Sequence, residues 1–290
     1  MSYKKKRYTT YDAHKQKPPY NGYKGGYKRK KTNAKSSSLL SKIVYLALIA
    51  LIICGINYAR DYITDMAGHY QDVEISQEDA EKQGLYYDWD ESLAPEYYYV
   101  IGKANVEDEL PAGKIRTSSI DSKGRTHGVT ATVTYEMVEE SKGWREEFGP
   151  EDDPSGWGHN KEVSIELPNG KYYNGWFWNR SHLLADSLGG HADRDNVITG
   201  TRTQNVGSNN QKHPGGMTYT ETKARNWLYN NHDGTVYYSA TPIYKDKEVI
   251  PRSVVVNVKS SDGSIDECVI VYNYAKGYEI DYNTGEFYRK

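Results

Sequence analysis

The densest group of residues that could do chemistry lies between positions 179 and 221. His182 follows the aromatic stretch Trp176-Phe177-Trp178, which has the character of a strand end, and it precedes a short helix-like segment. A strand end beside a helix start presents a side chain rigidly to solvent, and an imidazole there can take a proton from water near neutral pH. Arg180 lies two residues earlier, so in an extended segment both side chains share a face, where a guanidinium can grip a phosphate.

Two asparagines and a glutamate add a candidate metal site to this group. Asn196 and Asn205 are nine residues apart, and Glu221 follows on a predicted helix. A carboxamide oxygen is a neutral, hard ligand that suits Mg²⁺ when water and a substrate phosphate fill most of the coordination shell. Glu221 can hold metal-bound waters without being a ligand itself. These residues predict a magnesium site that is weak without substrate.

Each of these signals also has a plain structural interpretation. A histidine in a loop is often structural or solvated, Asn-rich loops are often turns, and Glu221 with Arg225 four residues later is an ordinary helix-surface pair. The sequence contains no HExxH or CxxC pattern and no glycine-rich phosphate loop. Residue types and spacing alone therefore leave the chemistry open.

The elements that must position these residues are mostly strands. β-branched and aromatic residues between Gly, Pro, Asn and Asp punctuation predict strands at residues 128–136, 161–167, 235–244, 253–259 and 267–273. Two helices are predicted, at residues 182–188 before Gly189-Gly190 and at residues 220–229 with Thr220 as the N-cap. The pattern predicts a single α+β domain of about 190 residues, a size that suits one hydrophobic core.

The charge distribution divides the chain at one boundary. Residues 1–42 contain 13 of the 37 Lys and Arg residues and one acid, Asp12, whereas the remainder holds 24 basic and 38 acidic residues, a net charge of −14. Between these parts, residues 39–59 read LLSKIVYLALIALIICGINYA, which as a helix spans about 31 Å, close to the thickness of a bilayer core. We predict a retained transmembrane helix at 39–59; a buried core helix and a cleaved signal sequence are the alternatives.

The flanks of this segment predict its orientation. Lys and Arg crowd its N-terminal side, so the N-terminus is expected in the cytoplasm and the larger part outside. Residues 1–38 predict a disordered basic tail that rests on anionic lipid heads, with nucleic-acid binding as the alternative. Residues 60–96 predict an acidic extracellular stalk with a short helix near 76–83, and residues 97–290 the folded domain. Two cysteines among 290 residues exclude a disulfide-rich scaffold.

Three ordered motifs carry a family resemblance: Asn179-Arg180-Ser181-His182-Leu183, Asp186-Ser187-Leu188-Gly189-Gly190, and the run NVITGTRTQN from Asn196 to Asn205. Together they resemble the DNA/RNA non-specific endonucleases with a ββα-metal site, in particular the DNA-uptake and secreted nucleases of Gram-positive bacteria. The similarity covers about residues 100–288 and includes the segments 121–125 and 154–157. It implies a ββα-metal domain with a central antiparallel sheet, one Mg²⁺ ion, for which Mn²⁺ can substitute, and hydrolysis of phosphodiesters.

The resemblance implies a role for each matched residue. His182 is implied as the general base, and Arg180 as an arginine that contacts the substrate. Asn205 is implied as the direct ligand of Mg²⁺, Asn196 as a residue near the scissile phosphate, and Glu221 as the residue that holds the metal's waters. In this sequence, Asn and Ser stand at the first and third positions of the family's Asp-Arg-Gly-His motif.

Further basic residues are predicted to grip phosphates without reading bases. These are Arg202, Lys223 and Arg225, together with Arg180. Contacts of this kind give little sequence preference and a strong dependence on salt. Because the outer part of the chain is acidic overall, nucleic-acid binding requires a local basic groove.

The leading hypothesis is a membrane-anchored, extracellular, Mg²⁺-dependent endonuclease without sequence specificity. Its expected partners are DNA and RNA as substrates, the membrane through one N-terminal helix, and DNA-uptake machinery. Three alternatives remain: a catalytically silent module that only binds nucleic acid, a cell-wall interaction protein whose Tyr-rich strands bind polysaccharide, and a polymorphic toxin.

Overall fold

The computed structural model describes residues 77–143 and 147–290, and these ranges contain four α-helices and twelve strands. The helices are α1 (Gln77–Lys82), α2 (Tyr135–Glu140), α3 (Arg202–Val206) and α4 (Thr218–Asn230). The strands are β1 (Tyr98–Gly102), β2 (Ile115–Thr117), β3 (Val129–Thr134), β4 (Glu162–Glu166), β5 (Tyr172–Trp176), β6 (Trp178–His182), β7 (Val197–Thr201), β8 (Thr235–Ile243), β9 (Ser253–Ser260), β10 (Asp266–Tyr272), β11 (Tyr278–Ile280) and β12 (Phe287–Arg289). Short 3-10 helices lie at Pro150–Asp152, Asp186–Leu188 and Arg194–Asn196.

Six strands form the central sheet, in the order β1-β10-β9-β8-β3-β2, and all of its neighbouring strands are antiparallel. Its middle strands are buried on both faces. In β9, Val254, Val256 and Val258 pack on one side of the sheet and Val255 packs on the other, because successive side chains in a strand alternate. The α+β class and the central antiparallel sheet are confirmed, and the five predicted strands correspond to β3, β4, β8, β9 and β10.

Helix α4 covers one face of this sheet. Ala224 and Leu228 are fully buried there against strand residues such as Val236 and Val256. Leu183 and the 3-10 helix that follows it belong to the same buried cluster, so the chain just after β6 is held against the sheet and α4. Burial of several such side chains contributes about 1.5 to 3 kcal/mol each, which makes this side a firm base for the polar residues of β6.

The opposite face of the sheet is covered by residues that precede β1. Ala80, Tyr86 and Ala94 are buried against Ile270 and Tyr272 of β10. The predicted stalk boundary at residue 96 does not match this packing, since residues 80–96 belong to the folded body. The acidic composition of this segment obscured the few apolar side chains that hold it on the sheet.

The two predicted helices near the polar cluster have different outcomes. The second is confirmed as α4, although it begins at Thr218 and not after a cap at Thr220. The first is wrong for residues 182–185, because His182 ends strand β6 and only Asp186–Leu188 form a 3-10 turn. The predicted glycine signal is present: Gly189 ends this turn with φ at +87°, in the left-handed region that favours glycine.

The predicted transmembrane helix at 39–59 and the basic tail at 1–38 lie outside the described residues. Within residues 77–143 and 147–290, no helix combines the length and the apolar character needed to cross a bilayer. The longest helix of these ranges, α4, has 13 residues.

Candidate active site

The candidate site is built on a ββα unit formed by β6, β7 and α3. Strands β6 and β7 pair antiparallel, with Arg180 opposite Thr199 and His182 opposite Val197. Thr201 ends β7 and caps α3 at once, because its hydroxyl accepts a hydrogen bond from the Gln204 N–H at 3.0 Å. This abrupt change from strand to helix sets the first turn of α3 against β6.

His182 and Arg180 share one side of β6, as the sequence predicts. Phe148 contacts both, with its ring centroid 5.2 Å from that of the His182 imidazole and 5.3 Å from the Arg180 guanidinium carbon. The guanidinium also lies 4.7 Å from the ring centroid of Trp157, and its Nε donates to the Asp153 carboxylate at 2.9 Å. The carboxylate and the two rings fix the orientation of Arg180 before any substrate arrives.

Asn205 lies on α3 beside the alternate residues of β6. Its Nδ2 donates to Asn179 Oδ1 at 3.2 Å, and its Oδ1 accepts a hydrogen bond from the Ser181 hydroxyl at 3.2 Å. A carbonyl oxygen has two lone pairs, so Oδ1 keeps one for a further partner. Asn205, Asn179 and Arg180 all line an open cleft of about 690 Å³. A half-engaged amide oxygen therefore lies at the cleft wall where the sequence predicts a metal ligand.

Glu221 lies in the first turn of α4 and is only 9% exposed. Burial raises the pKa of its carboxyl to about 7, and the nearby Arg225 opposes this shift. No hydrogen-bond donor of residues 77–143 or 147–290 reaches the carboxylate. The turn that carries it is tied to α3, because the Met217 N–H donates to the Gln204 carbonyl at 2.8 Å. Glu221 is thus an unpaired buried acid next to the helix that carries Asn205.

The donors of this region fit a weakly held hard cation. The described ranges contain no group of three or more His, Cys, Asp and Glu residues that could form a metal cage. An ion here would rely on the amide oxygen of Asn205 and on waters, a shell that Mg²⁺ accepts because it dehydrates reluctantly. A nearby cation would also favour the charged form of Glu221, which burial otherwise disfavours.

Asn196 is not placed as the sequence predicts. It is 2% exposed and is absent from the lining of the cleft. Its Oδ1 accepts from the Leu184 N–H at 2.9 Å, and its Nδ2 donates to the carbonyls of Leu184 at 3.0 Å and His191 at 2.8 Å. Backbone groups engage both N–H donors and one lone pair of Oδ1, and the amide is buried away from the cleft, so it cannot contact a phosphate there. The structure assigns Asn196 the task of holding the loop after His182 in place.

Of the three other residues predicted to contact phosphates, the structure places one at the cleft and two elsewhere. Arg202 lines the cleft, with its guanidinium 5.1 Å from the ring centroid of Tyr173. Lys223 instead pairs with Glu267 at 2.6 Å, and Arg225 donates to the Ser187 hydroxyl at 2.8 Å. Neither lines the cleft, because the turn of α4 directs them to other neighbours.

Sequence reasoning missed the residues that hold Arg180. Asp153 and Phe148 lie in an irregular segment before β4 that no periodic pattern marks. Trp157 lies in the segment 154–157, whose similarity to the family was the one signal that pointed to this loop. Tertiary folding, not local sequence, brings these three side chains to β6.

Comparison with known proteins shows which family the chain matches. A family model described as DNA/RNA non-specific endonuclease matches residues 99–285. A deoxyribonuclease of Streptococcus dysgalactiae subsp. equisimilis is 35% identical over an alignment of 228 positions, and the match covers 68% of this chain and 68% of that protein.

Two solved structures extend the comparison. The Sda1 nuclease with bound zinc ion has a TM-score of 0.66 and 35% identity, and the match covers 70% of this chain and 100% of that one. NucA from Streptococcus agalactiae with magnesium ion bound has a TM-score of 0.53 and 22% identity, over 75% of this chain and 100% of that one. At that identity, NucA shows a likeness of fold alone.

Proposed function

This chain belongs to the family of DNA/RNA non-specific endonucleases and is a metal-dependent endonuclease, and we propose that His182 is its general base and Asn205 its metal ligand. One observation carries the proposal: β6 and α3 bring His182, Arg180 and Asn205 to a single ββα unit, in which Arg180 and Asn205 line an open cleft and His182 contacts Phe148, which also lines it. The substrates are DNA and RNA, cut without regard to sequence.

The chain's own residues account for substrate binding and proton transfer. Asp153 engages Nε and Nη2 of Arg180, so three of the five guanidinium N–H donors remain for a phosphate. His182, on the same side of β6, takes a proton from the water that attacks this phosphate. Phe148 against both side chains limits their motion, which keeps base and phosphate in a productive geometry.

The proposed cofactor is Mg²⁺, with Mn²⁺ as a substitute. Asn205 Oδ1 would hold the ion, and Glu221 would hold its waters. When bound, a divalent ion supplies positive charge that stabilises the phosphate oxygens as their negative charge grows. Ser181 orients the Asn205 amide through its hydroxyl, which leaves the second lone pair of Oδ1 free.

The proposed setting is the outer surface of the cell membrane. The apolar segment at 39–59 and the basic residues that precede it support one membrane-spanning helix with the N-terminus in the cytoplasm. The catalytic domain would then be extracellular, and residues 60–79 would join it to the membrane. DNA-uptake machinery is the proposed partner.

Supercoiled plasmid cleavage by the full-length protein in detergent tests the proposal. Wild type and the His182→Ala variant are compared in Mg²⁺ and in EDTA, with His232→Ala as a matched control, because His232 is exposed just after α4. We expect cleavage by wild type and His232→Ala in Mg²⁺ only, and a loss of at least a thousandfold in His182→Ala. Wild-type turnover in folded His182→Ala would exclude His182 as the base.

A further inference from the structure

Aromatic side chains dominate the wall of the cleft beside Arg180 and Asn205. The cleft holds about 690 Å³, and its apolar walls come from Phe148, Trp157, Tyr173, Trp176 and Trp178. Hydrolysis of a phosphodiester needs a base, a cation and a grip on phosphate, and none of these functions requires a row of rings. Phe148 and Trp157 hold Arg180, and Trp178 is buried, so Tyr173 and Trp176 are the rings of this wall to which the proposed chemistry gives no role.

Two aromatic side chains of strand β5, one of them in this wall, are unusual because they are open to solvent. Trp176 is 54% exposed, and Tyr172, on the same strand β5, is 60% exposed. In residues 77–143 and 147–290, only three large aromatic side chains are exposed to this degree, and β5 carries two of them. Exposure of a tryptophan on a regular strand leaves a large apolar surface unburied, and such surface commonly marks a binding site.

Tyr173 is held flat along the same strand. Its hydroxyl donates to the Trp176 carbonyl at 3.0 Å, across Gly175. A Cβ on Gly175 would lie 2.5 Å from the Tyr173 hydroxyl oxygen, so the absence of a side chain there permits this position of the ring. Arg202 then stacks 5.1 Å from the ring centroid. The β4–β5 hairpin thus presents one ring, Tyr173, whose position is fixed in advance, beside the exposed ring of Trp176.

Unpaired basic side chains continue the cleft in one direction. Arg202 and Tyr173 also line a neighbouring cleft of about 560 Å³, to which Lys171 and Lys212 contribute. In the described part of the chain, none of these three cations has a carboxylate partner, whereas Arg180 is paired with Asp153. These three cations form a local basic groove on a domain that is acidic overall. The groove is continuous with the aromatic wall, because Tyr173 and Arg202 line both clefts.

We propose that the β4–β5 hairpin is a stacking platform for unpaired bases of single-stranded DNA or RNA, with Trp176 and Tyr173 as its rings. The backbone of the same strand would pass along Arg202, Lys171 and Lys212 on its way from the site. Aromatic rings bind any base through its π-face, so the platform favours single strands without reading sequence. Duplex bases are already stacked on one another and cannot use these rings. The inference rests on the proposed function, since it extends the substrate path of that site.

Binding in EDTA tests this platform separately from cleavage. The full-length protein is titrated against fluorescein-labelled dT12 and against a 12-mer of abasic residues, which keeps the phosphates and lacks the bases. Wild type is compared with Trp176→Ala and with Tyr288→Ala, a control in which the substituted ring is equally exposed, at 58%, but lies on β12, away from the cleft. Fluorescence anisotropy at low salt gives each Kd.

We expect wild type to bind dT12 at least fivefold more tightly than the abasic strand, because stacking on a single base already accounts for such a factor. Trp176→Ala should abolish most of this difference and leave the Kd for the abasic strand unchanged, and Tyr288→Ala should change neither. Equal binding of both strands by wild type would overturn the platform even if the protein cuts plasmid. Conversely, a clear preference for dT12 would support it even if His182→Ala proved fully active.

A glycan probe covers the other ligand that aromatic platforms bind. Sugars also pack on exposed rings, but this packing does not require the row of unpaired cations. We expect no change in dT12 binding when soluble peptidoglycan fragments are added. If these fragments bind through Trp176 and dT12 shows no base-dependent affinity, the platform belongs to a polysaccharide and the inference fails.

Discussion

Asn196 directly precedes strand β7, and Asn205 lies on α3, the helix that follows this strand. The two side chains carry the same carboxamide, but their surroundings differ. Asn196 is buried, and its three polar contacts go to backbone groups of the loop after β6. Asn205 is partly exposed at the cleft, where its amide forms hydrogen bonds with two side chains, Asn179 and Ser181, and an unused lone pair of Oδ1 is accessible from the cleft. The first arrangement costs stability when it is broken, whereas the second is free to accept a ligand.

The contrast shows that exposure at the cleft, and not residue type, distinguishes the proposed metal ligand from a structural amide. The loop near Asn196 is packed so closely that a Cβ on Gly190 would lie 1.9 Å from the Leu184 carbonyl oxygen. Around Asn205, the partners are side chains that can adjust when an ion arrives. Each of the following substitutions tests one side of this comparison.

The largest expected effect is on catalysis, from Asn205→Ala. Loss of the metal ligand should lower the plasmid cleavage rate in Mg²⁺ by about a thousandfold or more, because the charge that grows on the phosphate would lose its compensation. The melting temperature of the metal-free protein should change by only a few degrees, since two hydrogen bonds of a partly exposed amide are lost. A large drop in stability with normal activity would reverse the assignment.

Asn196→Ala should show the opposite pattern. Removal of the carboxamide leaves one N–H and two carbonyls of the buried loop without partners, so the free energy of unfolding should fall by about 3 to 4 kcal/mol. Urea denaturation measures this loss. The variant that remains folded at low temperature should retain its cleavage rate within about tenfold, and a much larger loss would place Asn196 in the chemistry after all.

Glu221 supplies a third case, a buried polar group with no hydrogen-bond partner in the described ranges, and its signature is a pH dependence. Its pKa is about 7 in the folded protein, against an ordinary value of 4.5. Below pH 4.5 the carboxyl is protonated in both the folded and the unfolded protein, so it does not lower the free energy of unfolding. As pH rises from 4.5 to 7, only the unfolded state ionises, so the free energy of unfolding falls by at most about 3 kcal/mol and then stays constant.

Glu221→Gln should therefore stabilise the metal-free protein at pH 8 and leave it nearly unchanged at pH 4.5. Urea denaturation in EDTA at both pH values measures the difference, and Glu279→Gln, at an exposed position on β11, is the control. If the free energy of unfolding falls equally for wild type and Glu221→Gln between the two pH values, burial does not raise the pKa of the Glu221 carboxyl.

The smallest effects concern the cations. Arg202→Ala should raise KM by about tenfold and reduce the salt dependence of binding by about one phosphate contact, because Arg202 lines the cleft without a carboxylate partner in the described chain. Lys223→Ala should leave KM within about twofold and cost about 0.5 kcal/mol, since it removes a partly exposed ion pair with Glu267. If both substitutions raised KM equally, Lys223 would also contact the substrate, and the distinction between the two cations would be wrong.

The sequence was informative where one local pattern decides the structure. Runs of β-branched and aromatic residues between turn residues located β8, β9 and β10, because both faces of these strands are buried. The helix predicted at residues 182–188 from the Gly189-Gly190 stop signal was wrong for residues 182–185. Here the pairing of β6 with β7, fifteen residues away at His182 and Val197, overrides local preference.

The site shows a similar division. The identity and spacing of Arg180, His182 and Asn205 pointed to one cluster, and the ββα unit brings them together. The role of Asn196 and the supports of Arg180 could not be inferred, because they depend on contacts between segments that are distant in the sequence. Motifs therefore predicted the site, and the hydrogen-bond partners of its side chains could be identified only from the structure.

The most direct test of the contrast between the two amides is the Mg²⁺ dependence of plasmid cleavage by wild type, Asn205→Ala and Asn196→Ala, measured at a temperature where all three are folded. We predict that Asn196→Ala reaches half of its maximal rate at the same Mg²⁺ concentration as wild type, whereas Asn205→Ala requires at least a hundredfold more or shows no activity. An unchanged Mg²⁺ midpoint and rate in Asn205→Ala would contradict the assignment of the metal site.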